Sequence, residues 1–138
     1  MKKLAMLSAM LVAVALIAAG CATTAKGPTD EELIAKRIGE GVAAIKAKNR
    51  GAFDGMISKT FESSAVGDKE ALLDYLKNAD DSGFLDGLEI DLSEAKTTVT
   101  GDKATVEPVA ANGSFGSLTL YFQGAKEKGV WVITNVEP

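Results

Sequence analysis

The sequence contains no histidine and a single cysteine among its 138 residues. Without histidine it has no Ser-His or Cys-His nucleophile pair and no histidine-rich zinc site. One thiol forms neither an intrachain disulfide nor a four-cysteine metal cluster. These absences exclude much of the usual catalytic and metal-binding equipment.

Basic residues are also few. Fifteen Lys and Arg stand against nineteen Asp and Glu, which gives a net charge of −4. Binding to a phosphate backbone depends on a dense basic surface, so the composition argues against nucleic acid as a partner. The length accommodates one globular domain with short extensions.

The N-terminus has the three parts of a secretory signal. It is basic at Met1–Lys3, apolar over 4–19 except for Ser8, and continues into Gly20-Cys21. Because the apolar run is shorter than the ~20 residues that a spanning helix needs, a targeting segment is favoured over an uncleaved membrane anchor.

The segment Ile17–Cys21 resembles the signal box of bacterial lipoproteins, although that family usually has leucine where Ala18 stands. The resemblance implies cleavage after Gly20 and acylation of Cys21, and several acyl chains such as palmitate hold a protein on a membrane. The alternative, an ordinary buried thiol, fits poorly because a polar segment follows. Ala22 after the cysteine resembles default sorting to the outer membrane, facing the periplasm, if the source is Gram-negative.

The sequence therefore divides into a signal peptide at 1–20, a lipidated cysteine with a small polar tether at 21–28, and a domain at 29–138. Loss of the two lysines in the signal lowers the net charge from −4 to −6. We expect an acidic domain that is held at the cell envelope by its lipid alone.

The domain begins with a helical pattern. Thr29 and Glu32 have the spacing of a capping box. Apolar residues then recur every three or four positions from Leu33 to Ile45, which predicts an amphipathic helix to about Lys48.

Two further helices are predicted in the first half. Apolar residues within 52–61 favour a second, shorter helix. Gly67-Asp68 then precedes a third helix that Asp68 caps. Its apolar face holds Ala71, Leu72, Tyr75 and Leu76.

After Gly83 the apolar period changes from 3.6 to 2, which is typical of strands. The pattern predicts a strand-like run over 88–99 with a bulge, a turn at Gly101-Asp102, a strand at 104–107, a hairpin turn at Asn112-Gly113, a strand at 115–123, a turn over 124–129 and a last strand at 130–136. Helices followed by an antiparallel meander predict an α+β domain with the helices on one face of the sheet.

The last strand is apolar on both faces. Strict alternation places Trp131 and Ile133 on one face and Val130, Val132 and Val136 on the other. Two apolar faces indicate a strand that is covered twice, which favours a homodimer slightly over a sheet that curls around its own core.

Residues 29–136 resemble the nuclear transport factor 2-like superfamily. The resemblance rests on the order of elements, on the hairpin Gly101–Val106 and on the closing strand Gly129–Ile133. It implies three N-terminal helices packed on a curved antiparallel sheet, the cone-shaped, cystatin-like α+β fold shared with ketosteroid isomerases and polyketide cyclases. Within that group the chain looks most similar to small secreted lipoproteins of unknown function.

Such a fold implies an apolar cone that holds a small molecule. The alternative is that aromatic residues at these positions are plain core, which a domain of this size needs. The candidate pocket residues are Phe53, Met56, Phe61, Tyr75, Phe115, Tyr121 and Trp131.

A metal site is a minor hypothesis. Residues 78–89 resemble a twelve-residue EF-hand loop for Ca²⁺, but the loop starts with Asn, has no partner loop and continues as a strand. A polar helix-to-strand connection is the favoured interpretation, and no cofactor is expected. The candidate Ca²⁺ ligands are Asn78, Asp80, Ser82, Asp86 and Glu89.

The leading hypothesis is a lipid-anchored, non-enzymatic domain that binds a small apolar ligand or an envelope protein. The superfamily's enzymes commonly use a His-Asp pair, which this chain lacks, or Tyr and Asp around an enolate. An isomerase or cyclase using Asp or Tyr acid-base chemistry is therefore the first alternative. A purely structural lipoprotein with a solid core is the second.

Overall fold

A computed structural model describes residues 27–138. The predicted signal peptide and the lipidation site Cys21 lie outside the described residues. None of the helices among residues 27–138 combines the length and the hydrophobicity of a transmembrane span.

Three helices precede most of the sheet, as predicted. The Thr29 hydroxyl accepts the Glu32 N–H at 3.2 Å, and the Glu32 carboxylate accepts the Thr29 N–H at 3.3 Å, which confirms the capping box. The Asp68 carboxylate accepts the Ala71 N–H at 2.9 Å and caps the third helix. The helices are α1 (Asp30–Lys46), α2 (Arg50–Asp54) and α3 (Lys69–Asp81).

The strands form one main antiparallel sheet and one short hairpin. The hairpin joins β1 (Glu62–Ser63) and β2 (Gly67–Asp68), and the main sheet contains β3 (Glu89–Asp91), β4 (Lys96–Thr100), β5 (Lys103–Gly113), β6 (Gly116–Glu127) and β7 (Val130–Glu137). Both β3 and β4 pair with β5, followed in order by β6 and β7. The α+β class predicted from the sequence is confirmed.

The second helix is shorter than the pattern at 52–61 predicts. It ends at Asp54, and the next residues extend along the edge of β7 instead. The Ser58 N–H donates to the Ile133 carbonyl at 2.9 Å, and the Ile133 N–H donates to the Met56 carbonyl at 2.9 Å. Pairing with a distant strand satisfies these backbone groups and overrides the local helical pattern.

The predicted run over 88–99 is two strands. The Asp91 carboxylate accepts the Ser93 N–H at 2.8 Å, and the Ala95 N–H donates to the Leu92 carbonyl at 3.0 Å. This turn takes the chain out of the sheet between β3 and β4. Ser and Asp side chains stabilise such turns by bonding to the nearby backbone.

The turn predicted at Asn112-Gly113 is displaced, and the turn predicted over 124–129 is shortened to its last two residues. Gly113 pairs with Gly116, so Ser114 and Phe115 form the β5–β6 turn in place of Asn112-Gly113. Lys128 (φ 52) and Gly129 (φ 79) form the β6–β7 turn, both in the left-handed conformation that two-residue hairpins favour.

A bulge in each of two strands resets the alternation of faces. In β5, Glu107 and Pro108 oppose one residue of β6, so that Val106 and Val109 both point into the core. In β7 the register shifts at Thr134, so Val136 pairs with Phe122 and packs on the inner face. The prediction that Val136 shares the outer face with Val130 is therefore wrong.

The core consists of two buried clusters on the inner face of the sheet. One joins α1 to the middle of the sheet through Ile34, Ile38, Ala104, Val106, Val109 and Trp131. The other joins α1, α2 and α3 to β7 through Ala44, Phe53, Ile57, Phe61, Leu72 and Ile133.

Candidate functional site

An apolar cavity of about 330 Å³ lies between the helices and the inner face of the sheet. This volume is at the lower end of the range of small-molecule pockets. Its walls are Ile38, Gly41, Val42, Ile45, Phe53, Ile57, Ala65, Val66, Leu72, Tyr75, Leu76, Phe84, Leu85, Leu88, Ile90, Ala111, Phe115, Leu118, Leu120, Phe122, Ile133, Val136 and Pro138.

The periodicity of the elements explains why these walls are apolar. On β6, alternate residues point to one face, and Leu118, Leu120 and Phe122 therefore all line the cavity. On α1, residues three and four apart share a face, which brings Ile38 and Val42 to the opposite wall. Helix and sheet thus present their apolar sides to the same space.

Large apolar side chains that line the cavity are also exposed to solvent. Tyr75 is 47% exposed, Leu118 45% and Phe84 39%. Because these residues contact both the cavity and the solvent, they mark its mouth. Exposed apolar side chains grouped in this way are typical of ligand-binding grooves.

The β5–β6 turn is tied to the loop that follows α3. The Ser114 hydroxyl lies 3.0 Å from the Gly83 carbonyl and 2.8 Å from the Phe84 carbonyl, and its N–H donates to the Asp86 carbonyl at 3.1 Å. The Phe84 and Phe115 rings pack with centroids 5.2 Å apart. These contacts hold the two loops together at one end of the cavity.

A side chain at Gly113 would displace the Phe115 ring of this aromatic pair. A Cβ atom at this position would lie 2.7 Å from Cε1 of Phe115, closer than van der Waals contact permits. The absence of a side chain therefore lets the Phe115 ring fold back over the end of β5.

The cavity carries almost no polar chemistry. Among the described residues that line it, Tyr75 alone has a polar side chain, and none is Asp, Glu, Lys or Arg. Such a lining favours hydrocarbon and disfavours a buried charge.

The carboxylates with shifted pKa values lie elsewhere. At the start of α1, hydrogen bonds from the Trp131 indole N–H and from Lys126 lower the pKa of Asp30. At the end of β7, hydrogen bonds from Ser64 and Asn135 lower the pKa of Glu137 to about 2. In both cases the hydrogen bonds stabilise the charged carboxylate and join elements of the fold. Neither carboxylate is therefore poised for proton transfer at neutral pH.

The structure brings some of the predicted pocket residues together. Phe53, Tyr75 and Phe115 line the cavity. Met56, Phe61 and Trp131 are buried outside its lining, and Tyr121 lies on the opposite face of β6. A binding role for any of them stays a prediction.

The aliphatic wall was missed because the candidates were chosen among large, mostly aromatic residues. Leu118 and Leu120 belong to the alternating pattern of β6, and Val42 and Ile45 to the apolar face of α1. The two periodicities were readable, but which two faces meet across a space depends on the path of the chain between them.

The residues of the EF-hand-like stretch do not form one continuous loop. Asn78 and Asp80 belong to α3, Ser82 caps its end, Asp86 lies in the turn that follows, and Glu89 starts β3. Asp80 instead forms ion pairs with Lys48 at 3.6 Å and Arg50 at 3.5 Å. In the part of the chain that the structure describes, no group of three or more His, Cys, Asp or Glu residues is placed to hold a metal ion.

Solved structures of low sequence identity share this architecture. A protein of unknown function with a cystatin-like fold from Nostoc punctiforme is 16% identical, with a TM-score of 0.62 over 82% of this chain and 96% of that one. A nuclear transport factor 2-like protein of unknown function from Shewanella oneidensis is 18% identical, with a TM-score of 0.61 over 78% and 97%. A Shewanella frigidimarina protein, provisionally named a ketosteroid isomerase, is 22% identical, with a TM-score of 0.57 over 73% and 89%.

No protein-family model and no curated protein matches the sequence. Identities this low are informative about the fold alone, since one fold supports many functions. The helices on one face, the open antiparallel sheet and these neighbours agree with the expected α+β architecture. The chain has the nuclear transport factor 2-like, cystatin-like fold.

Proposed function

We infer that this protein is a lipid-anchored, non-enzymatic protein of the cell envelope whose cavity binds a small apolar molecule. The observation that carries this proposal is the 330 Å³ apolar cavity with an exposed apolar mouth. A domain that served only as structure would gain stability by filling this space, because empty apolar volume costs packing energy.

The geometry gives less support to acid-base catalysis. An isomerase of the Asp or Tyr type needs a carboxylate beside the ligand with its pKa raised towards neutrality. Among the described residues that line the cavity, none has a carboxylate side chain. We therefore propose binding without chemistry.

Binding is tested with N-phenyl-1-naphthylamine, an uncharged dye whose fluorescence increases in apolar surroundings. Both buried clusters lie within the described residues, so a protein of residues 22–138 keeps every contact used here. We expect the wild type to bind the dye and Val42→Trp, which places an indole in the cavity, to weaken binding at least tenfold.

Val130→Trp is the matched control because Val130 is 47% exposed and lies outside the cavity lining. It should bind the dye like the wild type. If Val42→Trp does not fold, Leu118→Trp at the exposed mouth provides the same test. Unchanged binding by a folded cavity variant, or no binding by the wild type, would contradict the proposal.

The anchor is tested in the full chain. Expressed in a Gram-negative host with an alkyne analogue of palmitate, the wild type should incorporate label and sediment with membranes. Cys21→Ser should do neither, because the acyl acceptor is lost. Equal labelling of both proteins would contradict lipidation at Cys21.

A further inference from the structure

The side chains that line the cavity provide no counter-charge for a ligand. None of the described residues in its lining has an acidic or basic side chain. A charged group taken into this space would lose its hydration without gaining an ion-pair partner. A charged head group would therefore have to stay at the mouth.

One polar group remains for recognition. Among the hydrogen bonds between residues 27–138, none involves the Tyr75 hydroxyl, and this side chain contributes to both cavity and mouth. A phenol both donates and accepts hydrogen bonds. It therefore suits an alcohol, a ketone or an ester carbonyl equally well.

Resting on the proposed function, we propose that the ligand is an uncharged amphiphile whose hydrocarbon body fills the cavity and whose single hydroxyl or carbonyl group hydrogen-bonds to Tyr75 Oη. The cavity volume of 330 Å³ is about eleven times the ~30 Å³ that one water molecule occupies in the liquid. This size fits a short alkyl chain or a small fused-ring compound.

The experiment measures displacement of N-phenyl-1-naphthylamine from residues 22–138 by 1-decanol, decanoate and decylammonium, which share one chain and differ in head-group charge. We expect 1-decanol to bind at least tenfold more tightly than either ion. Tyr75→Phe should weaken 1-decanol two- to tenfold, the range expected for loss of one hydrogen bond.

Tyr121→Phe is the matched control, since Tyr121 is 43% exposed on the opposite face of β6. It should leave all three affinities unchanged. Each affinity is calculated with that variant's own dye affinity, so that an effect of the substitution on the dye does not enter.

The outcomes separate this inference from the proposed function. If the wild type binds the dye but either ion binds as tightly as 1-decanol, or Tyr75→Phe leaves 1-decanol binding unchanged, the inference is overturned and the binding function stands. If the wild type does not bind the dye, both are overturned.

Discussion

Glu137, near the end of β7, shows how one carboxylate fastens two segments that are distant in the sequence. It accepts hydrogen bonds from the Ser64 hydroxyl at 2.6 Å, the Ser64 N–H at 2.7 Å and the Asn135 amide at 3.0 Å. These bonds favour the charged form and lower the pKa of Glu137 from 4.5 to about 2. The carboxylate thus joins the segment after β1 to the last strand.

Because folding lowers the pKa of Glu137, its contribution to the free energy of unfolding depends on pH. The stabilisation is complete above pH 4.5, where the group is charged in both the folded and the unfolded chain, and it is lost as the pH falls towards 2. We expect Glu137→Gln to have a lower free energy of unfolding than the wild type at pH 7, with a difference that narrows below pH 4.5. Urea unfolding across this range measures it.

The control for this prediction is Glu94→Gln, an exposed position in the β3–β4 connection. Its difference from the wild type should not follow the same pH course. A Glu137→Gln difference that stayed constant from pH 7 to pH 3 would show that the bonds to Ser64 do not depend on the charge.

At the scale of elements, the β5–β6 turn illustrates how a loop is placed by contacts rather than by its own sequence. Asn112-Gly113 is the stronger local turn signal. The chain nevertheless turns at Ser114 and Phe115, because this position lets Ser114 bond to the loop after α3 and lets Phe115 pack on Phe84. Tertiary contacts outweigh local preference here.

Ser114→Ala should loosen this connection. It removes the hydroxyl that faces the Gly83 and Phe84 carbonyls and keeps the N–H bond to Asp86. We expect the free energy of unfolding to fall by about 1 kcal/mol, which is typical of a side-chain hydrogen bond. Hydrogen exchange should become faster in the two loops only.

Ser117→Ala serves as the comparison, since Ser117 is an exposed serine of the same hairpin that bonds only locally, to Asn112 at 2.6 Å. Its exchange in the loop after α3 should match the wild type. If Ser114→Ala also leaves that loop unchanged, the two loops are not held together by this side chain.

In the whole molecule, stability and the proposed binding site are separated only at the mouth of the cavity. Ile38, Phe53, Ile57, Leu72 and Ile133 belong to the buried clusters and also line the cavity, whereas Leu118 at the mouth belongs to neither cluster. Packed volume stabilises the fold, and unfilled volume does not. Residues of similar chemistry should therefore differ in their effect according to where they lie.

Val109 and Leu118 provide that comparison, since Val109 is 0% exposed in the core and Leu118 is 45% exposed at the mouth. We expect Val109→Ala to lower the free energy of unfolding by about 2 kcal/mol without weakening dye binding in the folded protein. Leu118→Ala should change it by less than about 0.5 kcal/mol and weaken dye binding. Urea unfolding and dye titration measure both quantities, and the reverse pattern would contradict the separation.

The starts of helices and the class of fold were predictable from the sequence, because they depend on near neighbours. An N-cap requires a side-chain oxygen three residues before a free N–H. The two N-cap residues Thr29 and Asp68 were both identified from the sequence. In β7, the faces on which the side chains lie were predictable up to the bulge. Beyond Thr134 one extra residue inverted the alternation and moved Val136 to the inner face.

Strands that pair with distant partners were less predictable. The extension of residues 56–58 along β7 depends on hydrogen bonds to Ile133, more than seventy positions away in the chain. No local pattern contains that information. The same limit applies to the pocket, of which three predicted members line the cavity and four do not.

The sequence by itself determined the helix caps, the change from helical to strand periodicity and the lack of histidine, since each is a property of neighbouring residues or of composition. The tertiary structure decided where the sheet bends, which turn residues reverse the chain, and that an uncharged space of about 330 Å³ remains between α1 and β6. A cavity exists where two apolar faces fail to meet, and the distance between two faces is a property of the folded chain rather than of either segment.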